Sequence, residues 1–252
     1  PRELRVRPRE LRGAAIVGIL LLAGGNGGVV LGERTVPSGL AALLVAMTPL
    51  WLILFRFASG ARPRLLTWTG VLVGFVGLGV LVLPGGGAGG TTTGILFIVG
   101  ATLSWAVGSF MSQRMPMPAN PFVATVWEML AAAIALLVIG TVNGERLSDF
   151  GEASTSSWIA LGYLVVFGSI VAYTAYVWLL QNAPISLVST YAYVNPVVAV
   201  LLGAVILAEP ITAAIVTGGA IAVVGVALVV RAERPPRPPV PVREPAEAPA
   251  RR

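Results

Sequence analysis

Three residue types that supply much of protein chemistry are missing from this chain of 252 residues: cysteine, histidine and lysine. Without cysteine the chain can form neither a disulfide nor a thiolate metal site. Without histidine it lacks the commonest general base and metal ligand. Since all 17 basic residues are arginine, a P-loop lysine and a Schiff base are excluded as well. We therefore expect no cofactor, no metal site and no catalytic residues.

Acidic residues are almost as restricted, because the chain has a single aspartate, Asp149. Membrane prenyltransferases need clusters of aspartates to hold Mg²⁺, and presenilin-like proteases need two aspartates inside the membrane. Rhomboid and acyltransferase chemistry would need a histidine. None of these sites can be assembled from this sequence, so we expect that the protein is not an enzyme.

Charge is scarce too. Charged residues make up 11% of the chain, apolar residues 56%, and the mean hydropathy is +0.86, whereas soluble domains carry about 25% charged residues. This composition predicts an all-α integral membrane protein whose surroundings are a lipid bilayer. The net charge of +6 is explained by membrane topology, described below, and not by nucleic acid.

The apolar residues fall into eight segments, each about as long as the 20 residues that cross a bilayer as a helix. Most connections between them are short, so successive helices are expected to be antiparallel neighbours. The predicted transmembrane helices are 13–33, 37–57, 65–84, 94–113, 121–142, 158–180, 184–208 and 211–230.

Arginine is distributed unequally between the two sides of the membrane that these eight helices define. Fifteen of the 17 arginines fall on one side, the arginine-rich face, and only Arg34 and Arg146 fall on the other, the arginine-poor face. Short cytoplasmic loops carry the excess of positive residues. Both ends of the chain are therefore predicted to be cytoplasmic. The arginines of the rich face lie in 1–12, 56–64, 114 and 231–252.

An internal repeat with an offset of 147 residues organises the chain. Pro37 matches Pro184, Pro49 matches Pro196, and the pair at 62–63 matches the pair at 209–210. Repeats of this kind indicate a duplicated structural unit. The second copy has two helices ahead of its three matched ones and the first copy has only three. A unit of five helices is odd, so tandem copies insert in opposite orientations and form an inverted repeat.

This organisation predicts a bundle of two inverted five-helix repeats, from which the first two helices are missing; a genuine eight-helix protein is the alternative. The predicted parts are a basic cytoplasmic segment at 1–12, an incomplete first repeat at 13–84, a glycine-rich linker at 85–93, a complete second repeat at 94–230 and a disordered Pro/Arg-rich cytoplasmic tail at 231–252.

The chain resembles the EamA family of the drug/metabolite transporter superfamily, which are inner-membrane carriers built of two five-helix repeats. The resemblance departs in two places: the family's first two helices are absent, and Ala208 stands where the family usually has glycine before a turn glutamate. It implies export of amino acids or related metabolites through a cavity between the repeats. The matching stretches are AGGNGGVVLGERTVPSGLAALLVAMTPLW (23–51), SWAVGSF (104–110), WEMLAAAIAL (127–136), GSIVAYTAYVWLL (168–180), STYAYVNPVVAVLLG (189–203) and AEPIT (208–212).

Among ionisable residues, Glu128 is the clearest functional candidate. It lies about seven residues inside the predicted helix 121–142, with alanines around it at helical spacing. Ionisable groups inside a membrane are costly and usually functional. The alternative is a structural glutamate that bonds a backbone group or a tryptophan ring.

Other polar and aromatic residues lie inside the apolar helices and complete the predicted cavity. Tyr191 and Asn195 share a helix face, and Asn195 precedes a proline that can bend the helix. Each member of the set has a structural alternative, such as a kink, an interhelical hydrogen bond or simple packing. The predicted substrate-binding residues are Asn26, Trp105, Ser109, Glu128, Tyr173, Tyr191 and Asn195, of which Asn26 and Tyr173 are counterparts in the repeat.

Together these features predict a multi-pass secondary transporter of the bacterial inner membrane. It is expected to export amino acids or related small metabolites or drugs by alternating access, with protons as a candidate coupling ion. A passive, channel-like protein or a non-transporting truncated membrane protein is the alternative. The glycines of helices 65–84 and 211–230 are interpreted as close helix contacts, and Glu209 with Pro210 as the start of a helix.

Overall fold

A computed structural model describes residues 6–60, 62–82, 90–183 and 191–233. These residues form helices and connecting turns, with no strand among them. The predicted linker 85–93 and tail 231–252 lie for the most part outside the described residues, as do residues 1–5 and 184–190. The eight main helices are α1 (Pro8–Glu33), α2 (Ser38–Ala58), α3 (Leu65–Val82), α4 (Thr92–Ser112), α5 (Pro121–Val142), α6 (Thr155–Asn182), α7 (Tyr191–Leu207) and α8 (Ala213–Glu233).

Each of the eight predicted apolar segments corresponds to one of these helices. Six of the helices are long and apolar enough to cross a membrane, whereas α3 and α7 are shorter apolar helices within the described residues. The fold of the described residues is therefore that of an all-α membrane protein with six candidate spans. Eight spans, their inverted arrangement and the cytoplasmic location of both ends stay predictions.

Polar residues mark the beginnings of several helices, as capping requires. The backbone N–H of Gly94 donates to the Thr91 hydroxyl (3.1 Å) at the start of α4. At α5 the N–H of Phe122 donates to Asn120 Oδ1 (2.9 Å), and a proline follows the cap. The predicted basic segment 1–12 is partly helical, because α1 begins at Pro8 and not near residue 13.

Two helices contain long stretches of π-helix, in which backbone hydrogen bonds join residues five positions apart. These stretches are Ile19–Asn26 in α1 and Leu164–Tyr173 in α6. Such stretches are rare and are found mostly at functional sites. The offset of 147 residues aligns the last residue of the first stretch, Asn26, with the last residue of the second, Tyr173. Two copies of one duplicated helix would both contain a π-helical stretch that ends at the matched position. This shared feature supports the predicted repeat.

Four glycines lie where α3 and α8 cross at close range: Gly70 and Gly77 on α3, and Gly218 and Gly225 on α8. A Cβ built at Gly70 would lie 2.8 Å from the carbonyl oxygen of Gly225, and one built at Gly77 would lie 2.8 Å from that of Gly218. Small residues at such crossings allow helix backbones to approach each other in membranes. The structural interpretation of these glycines is confirmed, and α3 and α8 occupy matched positions in the predicted repeat.

The predicted helix start at Glu209 and Pro210 is wrong. Residues 208–212 are not helical, and α8 begins at Ala213. Ala208 adopts φ +53°, and the N–H of Glu209 donates to the carbonyl of Gly203 (3.1 Å). A left-handed residue after the end of a helix is a common C-terminal stop, usually made by glycine. Glycine adopts such a backbone at almost no steric cost, whereas alanine is strained in it.

Replacing Ala208 by glycine should stabilise the protein. A left-handed backbone costs an alanine roughly 1–2 kcal/mol and costs glycine almost nothing, although glycine loses more chain entropy on folding. We expect Ala208→Gly to raise the free energy of unfolding by about 1 kcal/mol, measured by thermal unfolding in detergent. The control is Ala220→Gly at an exposed position inside α8, which should lower it by a similar amount. Equal effects of both substitutions would contradict the strain at residue 208.

Candidate functional site

Glu128 lies in the middle of a buried contact between helices. It is on α5 and its side chain is only 2% exposed. The hydroxyl of Tyr173, at the end of the π-helical stretch of α6, donates to Glu128 Oε2 at 2.7 Å. A hydrogen bond to a carboxylate is short and stronger than one between neutral groups. Since a carboxylate can accept about four hydrogen bonds, the bond from Tyr173 leaves capacity for a further donor.

A glycine of α1 allows this contact to be so tightly enclosed. A Cβ built at Gly18 would lie 2.5 Å from the Cα of Glu128, so only glycine permits the two backbones to come this close. Apolar side chains from three helices surround the contact. They form one buried cluster of Val17, Leu21, Ala124, Tyr173 and Val177.

A second polar group lies on the same face of α6, because Tyr176 follows Tyr173 by three residues. The Trp105 ring N–H donates to the Tyr176 hydroxyl oxygen (3.1 Å), and the two rings pack with centroids 5.5 Å apart. The Ser109 hydroxyl lies 3.0 Å from that of Tyr176 and donates to the carbonyl of Trp105 (2.8 Å). Because the single hydrogen of Ser109 is used in this way, Tyr176 is the donor in their contact.

We call these five residues the Glu128 cluster: Trp105 and Ser109 on α4, Glu128 on α5, and Tyr173 and Tyr176 on α6. It brings a carboxylate, hydroxyl groups and aromatic faces together between apolar helices. Such a mixture can bind a small polar molecule, with the carboxylate attracting a cation and the rings stacking on it.

Thr125 lies one turn before Glu128 on α5 and has an unusual environment. Its side chain is 4% exposed, and within the described residues its hydroxyl oxygen is buried without a hydrogen-bond partner. Buried hydroxyl groups nearly always find a partner, and an exception calls for an explanation such as a bound molecule. Since residues i and i+3 share a helix face, the Thr125 hydroxyl and the Glu128 carboxylate lie on the same side of α5.

The structure gathers four of the seven predicted site residues into this cluster: Trp105, Ser109, Glu128 and Tyr173. Asn26 and Asn195 have exposed side chains, so they are not part of the buried group. The side chain of Tyr191 lies outside the described residues. Sequence reasoning missed Tyr176 and Thr125, although each lies three residues from a predicted site residue on the same helix.

Within the part of the chain that the structure describes, no group of three or more acidic, histidine or cysteine side chains is close enough to hold a metal ion. The side chains of the Glu128 cluster themselves offer charge attraction, hydrogen bonding and stacking.

Comparison with protein families matches residues 92–231 to the EamA-like transporter family. Among curated proteins, the inner membrane transporter YedA of Escherichia coli K12, named as uncharacterized, is 42% identical over 196 residues, which cover 77% of this chain and 63% of that protein. The chain thus spans less than two thirds of this relative.

More distant relatives extend the match to other lineages. A WAT1-related chloroplastic protein of Arabidopsis thaliana, At3g02690, is 26% identical over 206 residues, covering 79% of this chain and 49% of the relative. An uncharacterized transporter of Synechocystis, sll0355, is 25% identical over 225 residues, covering 80% and 66%. One crystal structure superposes with a TM-score of 0.62 over 92% of this chain and 79% of its own, at 23% identity; it shows a shared fold alone.

Proposed function

Because the chain belongs to the EamA-like transporter family, we propose that it is a secondary carrier of the bacterial inner membrane that exports small amines, such as amino acids, by alternating access. The observation that carries the proposal is the Glu128 carboxylate, buried between α1, α5 and α6 and bonded to Tyr173. The relative YedA is named as an inner membrane transporter, and this supports the location.

The chemistry of the Glu128 cluster supports an amine as the substrate class. A carboxylate in a site of low dielectric attracts an ammonium group far more strongly than one in water does. The hydroxyl of Thr125 and the aromatic faces of Trp105 and Tyr176 offer further contacts of the kind that fix the orientation of a ligand. The same carboxylate can carry a proton when no amine is bound, so exchange of a proton for the substrate is part of the proposal.

The geometry also supports a moving element next to the site. Glu128 is enclosed in the described state, so a substrate can reach it only if helices separate. The π-helical stretch of α6 ends at Tyr173, the residue that bonds Glu128. A π-helical stretch can change to α-helix with a rotation of the residues beyond it. We propose that such a change in α6 withdraws Tyr173 and opens the carboxylate to a substrate.

Transport by the chain tests this function directly. Proteoliposomes that contain the protein should take up labelled amino acids with saturation, and an excess of unlabelled substrate on the opposite side should accelerate uptake by counterflow. Counterflow is expected because a carrier returns faster when it is loaded. Uptake that rises linearly with concentration and shows no counterflow would instead indicate a passive channel. A panel of cationic, zwitterionic and anionic amino acids identifies the charge class, and anions should be excluded by Glu128.

A further inference from the structure

The loop between α7 and α8 makes a contact that the sequence does not suggest. One oxygen of the Glu209 carboxylate, Oε1, accepts the backbone N–H of Ser38 (2.8 Å) and the Ser38 hydroxyl (2.9 Å). The other, Oε2, accepts the backbone N–H of Gly39 (3.1 Å). These donors begin α2, whose N-terminal N–H groups have no partner within the helix and favour a negative charge. A residue of the second predicted repeat therefore caps a helix of the first.

Close packing of two helices surrounds this cap. A Cβ built at Gly203 on α7 would lie 2.6 Å from Glu209 Oε2 and 2.9 Å from the Ser38 hydroxyl oxygen, and one at Gly39 would lie 3.4 Å from the Cα of Val200. The first turn of α2 and the C-terminal part of α7 thus meet with no space between them.

We propose that Glu209 is a latch that holds α2 and α7 together at the arginine-poor face and keeps the transport pathway closed on that side. This inference rests on the proposed carrier function, because alternating access requires one side to be closed while the other is open. The two sides of the latch belong to different predicted repeats. Rocking of one repeat against the other would therefore separate them. When the latch breaks, Ser38 and Gly39 lose their acceptor and water replaces it.

The latch should hold over the whole physiological pH range. Burial by itself would raise the pKa of Glu209, but the N–H groups of Ser38 and Gly39 and the Ser38 hydroxyl outweigh it and lower the pKa below its usual value. A carboxylate with a lowered pKa keeps its contacts at neutral pH and loses them only when the pH falls through that lowered value. Glu33 at the end of α1 is near enough for its charge to act on Glu209. The latch therefore opens when the protein changes conformation, and not because Glu209 becomes protonated near neutral pH.

Cysteine labelling tests the latch without a transport assay, and the chain has no native cysteine to remove. The probe is Val200→Cys, which reports whether α7 has moved away from α2. A membrane-impermeant maleimide is added to intact cells and, separately, to inverted vesicles. Ala153→Cys and Gln113→Cys mark the two faces, because both residues are exposed in loops on opposite sides of the predicted topology.

With Glu209 intact, Cys at position 200 should be protected on the face that labels Ala153→Cys. Glu209→Ala should raise its labelling rate on that face by about tenfold, since the open state gains population when the bonds are lost. Glu33→Ala, the matched loss of a neighbouring charge, should leave the rate unchanged. If Glu209→Ala does not reach the membrane, Ser38→Ala, which removes only the hydroxyl contact, should raise the rate by a smaller factor.

Unchanged labelling in Glu209→Ala, or an equal increase in Glu33→Ala, would overturn the latch. Either result can be obtained whether or not the protein transports amines, so a failure of the latch is distinct from a failure of the proposed function. Conversely, if Glu209→Ala raises the labelling of position 200 but the protein shows no counterflow, the role of Glu209 in holding α2 against α7 stands and the carrier assignment is lost.

Discussion

Glu128→Gln should abolish most transport of cationic and zwitterionic amines while leaving the protein folded in the membrane. The substitution keeps the shape of the side chain and an acceptor for the Tyr173 hydroxyl but removes the charge that attracts an ammonium. A hydrogen bond to a charged group is worth about 1.5–3 kcal/mol, so the transport rate at low substrate concentration should fall about 10- to 100-fold. The measurement is initial uptake into proteoliposomes at matched protein density.

The pH profile separates a substrate-binding role from a structural one. If Glu128 exchanges a proton for the substrate, the residual transport of Glu128→Gln should no longer depend on pH, because glutamine does not titrate. Glu152→Gln is the matched control, since it removes the same charge from an exposed loop position and should transport like the parent. If Glu128→Gln has the rate and the pH profile of the parent, then Glu128 has only a structural role, as a hydrogen-bonded contact between α5 and α6.

The positions of the helices and of Glu128 could be predicted because both depend on local sequence. An apolar run of about 20 residues specifies a transmembrane helix by its own length, and a lone carboxylate within such a run must be buried against protein to survive there. The same reasoning identified the glycines of α3 and α8 as helix contacts. Helical spacing likewise places Trp105 and Ser109 on one face of α4.

Contacts between distant parts of the chain could not be predicted in this way. Periodicity shows which residues share a face of one helix but not which helix that face meets, so Tyr176 was missed although it lies beside Tyr173. The pair of Glu209 and Pro210 predicts a helix start from its local sequence, whereas the true partner of Glu209, Ser38, is 171 residues away. Asn26 and Asn195 were grouped with the site because they are polar, and the structure leaves both exposed. Polarity inside a helix indicates an unusual environment without specifying which one.

Gly18→Leu should destabilise the whole protein more than any surface substitution does. A Cβ at this position would already lie 2.5 Å from the Cα of Glu128, and a leucine adds three more carbons in the same place. Overpacking of a close contact costs about 1–3 kcal/mol and sometimes more, and here the obstacle is backbone, which cannot move aside as a flexible side chain can. We expect α1 to separate from α5, the apparent melting temperature in detergent to fall sharply, and the yield of monodisperse protein to fall with it.

Gly100→Leu is the matched control for this substitution. Gly100 lies in α4, and a Cβ built there would meet no heavy atom within 4 Å, so a leucine at this position faces open space and adds helix propensity. Its melting temperature should equal or exceed that of the parent. If Gly18→Leu is as stable as Gly100→Leu, then α1 does not approach Glu128 as described. The enclosure that makes this carboxylate a binding group would then have to come from other helices.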